Sequence, residues 1–201
     1  MIYHTKYQTE LRAQQLQIQN TKFEYELLKN QINPHFLFNS LSILNSLITI
    51  NQNQAKAFTN NLSNVLRYVL DYKNMDSISL EEEKKFLEQY IYLLKTRFGE
   101  ALHIHLIFSD KYLKKKILPM AIQLLIENVI KHNEISDINP MNVNITTSKN
   151  GVSISNQIRL KTSVSSWGIG LENIKNRYTS IGHSIQVNKD KEKFKVSIPY
   201  I

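Results

Sequence analysis

A histidine set directly behind a helix-starting proline, in Asn33-Pro34-His35-Phe36-Leu37-Phe38-Asn39, is the first place in the chain where chemistry is readable. A neutral imidazole is a nucleophile near pH 7. Asn33 suits a helix cap, and Pro34 suits the first helical position, where its missing N–H costs nothing. Ile32 and Leu37 stand where a hydrophobic staple would fix the entering chain. Asn39 follows His35 by four residues, one turn on and on the same face, so its amide can hold the ring or a bound phosphate. By these residues alone a structural histidine is the commoner occurrence.

A second cluster lies in Glu127-Asn128-Val129-Ile130-Lys131-His132. Asn128, Lys131 and His132 share one helix face at i, i+3 and i+4 spacing. A side-chain amide oxygen is a hard ligand for Mg²⁺, which keeps waters and phosphate oxygens as its other partners. A lysine and a histidine beside it suit a polyphosphate. The competing reading is the solvated edge of an amphipathic helix.

The third feature is Gly168-Ile169-Gly170-Leu171 before a helical stretch, with two of the five glycines in the chain. Glycine lets backbone approach a phosphate, and the helix start beyond it offers unpaired N–H groups. Two glycines are a weak signal by themselves.

These residues need elements to hold them. Residues 5–31 contain no Gly or Pro and read as helix, with Leu11, Ile18, Tyr25 and Ile32 at heptad spacing and polar residues at Gln14 and Thr21. Two apolar helices follow, Pro34 to about Ile50 and one through Phe58, Leu62, Val65 and Val69, joined by the polar Asn51–Gln54. They predict an antiparallel hairpin, and two hairpins would bury each other as a four-helix bundle, giving a dimer. After a polar linker, Ser79 and Glu82 form a capping-box pattern for a helix that runs to Arg97 and stops at Gly99.

A strand over Leu102–Phe108, a helix opened by Pro119 and running to His132, and strands near 142–148 and 152–158 come next. The last two meet at a turn at Asn150-Gly151, and two closing strands near 184–188 and 193–198 turn at Asp190. His103 and His105 share a strand face, but no third ligand stands near, so they read as solvent-facing. The fold class expected is α+β: a helical dimerisation region over 1–78 and an α/β domain over 79–201.

Composition narrows the partners. Lys+Arg 25 against Asp+Glu 17 gives +8, which favours anionic ligands without choosing among them. Zero cysteines exclude disulfides, thiolate metal sites and a cysteine nucleophile. No apolar run approaches the roughly 20 residues of a membrane span, and the start has no signal-peptide core.

The three features in this order resemble the LytS-type sensor histidine kinases. Gln31-Ile32-Asn33-Pro34-His35-Phe36-Leu37-Phe38-Asn39-Ser40-Leu41 resembles their phosphoacceptor box. Leu125–Asn133 resembles the Asn-containing box, and Gly168–Tyr178 the glycine lid box, of the Bergerat (GHKL) ATPase fold. The resemblance implies a homodimer that binds ATP and Mg²⁺, phosphorylates His35 and passes the phosphoryl group to a response regulator receiver domain. It implies nucleotide contacts from Asn128, Lys131, His132, Asn156, Gly168, Gly170 and Leu171, with Asn128 on the metal. It also implies a cytoplasmic location, with a membrane anchor in an upstream segment outside this chain.

Two departures stand out. Where the family has an Asp-x-Gly box for adenine, this chain has Asn156-Gln157-Ile158. The Asn156 oxygen can accept the same hydrogen bond without charge, but Ile158 lacks a glycine's freedom. Many histidine kinases place an acidic base after the phosphorylated histidine, whereas Phe36 stands here, as in LytS-type members. The base is then Glu127, or none is needed while the imidazole is neutral. Two other readings follow: a degenerate scaffold that binds no ATP, and a basic nucleic-acid-binding protein. The scattered basic residues argue against the latter.

Overall fold

The computed structural model describes residues 34–72, 75–161 and 169–201. The Asn33 cap, the Ile32 staple, the heptad stripe over 5–31 and Gly168 lie outside the described residues. The chain divides into a unit ending at Ile50 and a second unit over Asn51–Ile201. Helices come first and a mixed α/β layer follows, which is the α+β class expected from the sequence.

In the first unit, helix α1 spans Pro34–Ile50. Phe38, Leu41 and Ile48 lie on it 69%, 48% and 55% exposed, a stripe at helical spacing that meets water.

The second unit opens with α2, Gln52–Tyr72, whose first turn is capped by the Asn51 side chain accepting from the Gln54 N–H at 3.1 Å. The short strand β1 (Ile78–Ser79) leads straight into α3, Leu80–Phe98. The capping box forms as expected: Ser79 Oγ accepts from the Glu82 N–H at 3.2 Å, and the Glu82 carboxylate accepts from the Ser79 N–H at 3.0 Å. Gly99, at φ 56°, ends α3 in a conformation that penalises a side chain. Helix α2 packs on α3 through a stack of rings, Tyr68 on Phe86 at 4.0 Å and Phe86 near Tyr90 at 6.0 Å.

Strand β2 (Leu102–Ile107) pairs in parallel with β4 (Met141–Ser148), and the crossover between them contains β3 (Lys116–Ile117) and helix α4, Ala121–His132. β3 pairs with β1. Beyond β4 the sheet is antiparallel: β5 (Gly151–Gln157), β7 (Lys193–Ile198) and β6 (Gln186–Lys189), in the order β2-β4-β5-β7-β6. Helix α5, Ile169–Ser180, packs against α4.

Alternation decides the faces. Met141, Val143 and Ile145 of β4 and Val152 and Ile154 of β5 are buried, while Asn142, Asn144, Ser153 and Ser155 turn away. His103 and His105 fall on the polar face, opposite Asn142 and Asn144. The described residues hold no group of three or more His, Cys, Asp or Glu able to bind a metal. No helix among them is long and apolar enough to cross a membrane.

One expectation is corrected. Pro119 does not open α4. The helix begins at Ala121, because Met120 takes the left-handed conformation, φ 59° and ψ 11°, and interrupts the run from Pro119.

Candidate functional site

The sheet register puts one polar side chain into the apolar face. Val143 of β4 pairs with Asn156 of β5, Asn156 with Phe194 of β7, and Phe194 with Lys189 of β6. Asn156 is 4% exposed at this position. A buried amide needs partners. Its nitrogen donates to the Gln157 carbonyl, which orients the amide.

Above this row lies a cavity of about 270 Å³. That is just under the roughly 300–1,000 Å³ usual for small-molecule sites. Val129, Ile158, Leu160, Leu171, Val187 and Phe194 give it apolar walls. Asn128, His132, Asn133, Asn156 and Lys189 bring polar groups to the same space. An apolar slot with a few polar groups at defined places suits a flat heteroaromatic ring.

Helix α4 delivers Asn128 and His132 to one side of the cavity, since they lie one turn apart. The Asn128 amide nitrogen is buried with no hydrogen-bond partner. Such a group costs about 1–3 kcal/mol unless something satisfies it. Directly against it runs the backbone of Gly170 in the first turn of α5. A Cβ on Gly170 would stand 3.0 Å from Asn128 Cγ and Nδ2, and nearer still to Oδ1. Gly170 has no positive φ, so close approach is what requires glycine there. Two stretches more than forty residues apart therefore meet at one contact.

The charges around the cavity lie mostly outside it. Burial lowers the pKa of His132, and the charges of Lys131 and Lys161 lower it further, so its imidazole is neutral at pH 7. Lys161 is tied back by donating to the Ile130 carbonyl at 3.0 Å. Lys131 is exposed and does not line the cavity. Glu127 does not line it either. Its carboxylate accepts from Gln123 Nε2 at 2.8 Å and from the Tyr90 hydroxyl at 3.3 Å.

Asn133 was legible only as part of a motif, yet it organises the cavity's edge. At the end of α4 it is 5% exposed and donates to the Val129 carbonyl at 2.9 Å. Its oxygen accepts from the Arg159 N–H at 2.8 Å. Backbone bonds from Glu134 to Arg159 and from Lys161 to His132 complete a short antiparallel seam. That seam fixes Ile158 and Leu160 at the cavity. Phe194 and Lys189 also escaped sequence reading, because their place depends on strand register.

In the first unit, His35 is exposed on α1, and the Asn39 amide nitrogen donates to His35 Nε2 at 3.0 Å. The expected one-turn pairing is therefore present, and it orients the ring.

Residues 23–102, which include His35, match the family model "Histidine kinase". The sensor protein kinase HptS of Staphylococcus aureus, strain USA300, is 29% identical over 153 residues, covering 76% of this chain and 28% of HptS. HptS of strain NCTC 8325 matches equally. The chain thus spans little more than a quarter of the length of these relatives. Among solved structures, the cytoplasmic segment of histidine kinase QseC matches with TM-score 0.42 at 14% identity, over 62% of this chain and 78% of that one. A bacterial phosphotransferase matches with TM-score 0.46 at 10% identity, over 86% and 93%. The chain is similar to histidine kinases through residues 23–102, and to a sensor protein kinase over three quarters of its length.

Proposed function

We propose that the chain is the core of a two-component sensor histidine kinase. It phosphorylates His35 from ATP and hands the phosphoryl group to an aspartate of a response regulator receiver domain. The observation that carries this is the Asn128–Gly170 contact above an apolar cavity floored by Asn156. The likeness to histidine kinases across His35 supports it.

The residues present fit Mg²⁺–ATP. Asn128 has a buried amide N–H without a partner, suited to a phosphate oxygen, and its amide oxygen is a hard ligand; Gly170 lets the α5 backbone lie directly against Asn128, and Asn156 offers an amide oxygen toward a base. Asn128 would hold the metal, with His132 and the Gly170 and Leu171 backbone around the phosphates. When bound, Mg²⁺ neutralises charge on the phosphate oxygens. The apolar walls exclude water from the base. His35 supplies the nucleophilic nitrogen, held in direction by Asn39. In the transfer, the bond between the γ-phosphorus and the bridging oxygen breaks, a P–N bond to the imidazole forms, and ADP leaves. The imidazole proton goes to Glu127 or to solvent. Positioning and charge neutralisation are the main work in such transfers.

The exposed Phe38–Leu41–Ile48 stripe of α1 supports a homodimer built through the helical region, and a membrane anchor upstream would make this a cytoplasmic core. A second reading, a dimeric scaffold that binds no ATP, is favoured by one observation: Asn156 stands where the family carries a charged acceptor. Calorimetric titration with Mg²⁺–ATP separates the two. Saturable binding supports the kinase, and no heat at millimolar nucleotide supports the scaffold.

A further inference from the structure

Glu83 on α3 is a fully buried carboxylate that the site described above does not use. Its partners come from different elements. The Tyr68 hydroxyl of α2 donates to it at 2.6 Å. The Met120 and Ile122 N–H groups, at the start of α4, donate at 3.2 and 3.4 Å. Arg177 of α5 faces it electrostatically, and donates to the Pro119 carbonyl at 3.1 Å.

Two things make this more than packing. First, Met120 holds a left-handed backbone without being glycine, a conformation that persists only where the surroundings enforce it. Glu83 and Arg177 hold the N–H and the C=O of the peptide bond that enters that residue. Second, α4 is the helix that presents Asn128 and His132, and Ile122 precedes Asn128 by less than two turns. A helix of this length moves as a rod, so a shift at its start reaches the cavity.

We propose that Glu83 is a positioning residue of the nucleotide site: its buried carboxylate ties α2 to the strained first turn of α4 and so sets where Asn128 and His132 stand. This rests on the nucleotide-binding reading above. Tyr68 then becomes the point at which α2 is coupled to the site, with no contact between Tyr68 and any ligand. Movement of α2 relative to α3 would stretch the Tyr68–Glu83 bond and release the α4 start.

The test uses the full chain at pH 8, where Glu83 is ionised, at a temperature where circular dichroism shows every variant folded. Glu83→Gln keeps the shape but turns a donor toward donors. Its Kd for Mg²⁺–ATP should rise about tenfold, a usual size for coupling between sites. Tyr68→Phe should raise it about threefold, because the hydroxyl is remote but coupled. A residue that only stabilised the fold would shift the unfolding midpoint and leave the Kd of folded protein unchanged. Amide hydrogen exchange is measured in the same variants without nucleotide. Faster exchange over Ala121–Leu125 is expected in both. A folded Glu83→Gln with Kd within twofold of wild type overturns the proposal. If wild type binds no nucleotide, the kinase reading fails, and exchange alone decides: unchanged α4 exchange in Glu83→Gln overturns the positioning role, and faster exchange upholds the tie to α4.

Discussion

Replacing Gly170 with alanine probes the close approach of α5 to Asn128 on α4. The added methyl would stand 3.0 Å from Asn128 Cγ and Nδ2, closer than ordinary contact allows. Asn128 must rotate, or the start of α5 must retreat from α4. Overpacking of this kind costs about 1–3 kcal/mol. Alanine in a helix returns up to ~1 kcal/mol of intrinsic preference relative to glycine. Stability to urea should therefore fall only slightly, by about 0–2 kcal/mol. Nucleotide affinity should respond more, because the bound state needs Asn128 where it now stands and has no propensity gain to offset the loss. A penalty of about 1.4–3 kcal/mol there weakens Mg²⁺–ATP binding by roughly ten- to a hundredfold. Calorimetry on the folded variant gives the affinity, and urea unfolding gives the stability. Affinity within twofold of wild type, in a variant that folds, would refute the claim that this contact shapes the site.

Asn128→Ala should remove the Mg²⁺ dependence of nucleotide binding and leave the unfolding midpoint at or above that of wild type, since a buried unpartnered amide is lost; calorimetry with and without Mg²⁺ reads it. Asn156→Asp should tighten adenine nucleotide binding, by about three- to tenfold, because a charged acceptor bonds more strongly than an amide; weaker binding in the same titration would mean that the amide's bond to Gln157 is what matters. Glu83 gives a pH signature. Burial raises its pKa from 4.5 to about 7, against the opposing pull of Tyr68, the Met120 and Ile122 N–H groups and Arg177. Between those two values the folded state binds more protons than the unfolded, so stability falls as pH rises from about 4.5 to 7, by on the order of 3 kcal/mol. Urea unfolding across that range should show this slope in wild type and lose it in Glu83→Gln.

What could be read from the chain alone was local. The Ser79–Glu82 capping box, the Gly99 stop and the pairing of Asn39 with His35 each depend on residues within one or two turns, and all three form. The alternation in β4 and β5 fixed their faces for the same reason. Long-range facts were not legible. Pro119 is well suited to open a helix, but the capture of the Met120 N–H by a carboxylate thirty-seven residues earlier moves the start to Ala121. The Asn133 seam and the row that joins Asn156, Phe194 and Lys189 depend on register across the sheet. One signal was available and passed over: Glu83 lies on the same stripe as Leu80, Leu87 and Tyr90, where a carboxylate among apolar side chains marks a buried charge.

The central claim is that His35 takes the phosphoryl group, and labelling with γ-labelled ATP and Mg²⁺ tests it most directly. Five other histidines compete, at positions 4, 103, 105, 132 and 183. His35 lies exposed on α1 with Asn39 on its ring, while His132 belongs to the cavity and His103 and His105 to the polar sheet face. A phosphoramidate is lost in acid and survives alkali. Wild type should take acid-labile, alkali-stable label, and His35→Gln, folded by circular dichroism and still binding Mg²⁺–ATP, should take none. Acid-labile label persisting in folded His35→Gln, or a wild type that binds Mg²⁺–ATP and never labels, would contradict the account.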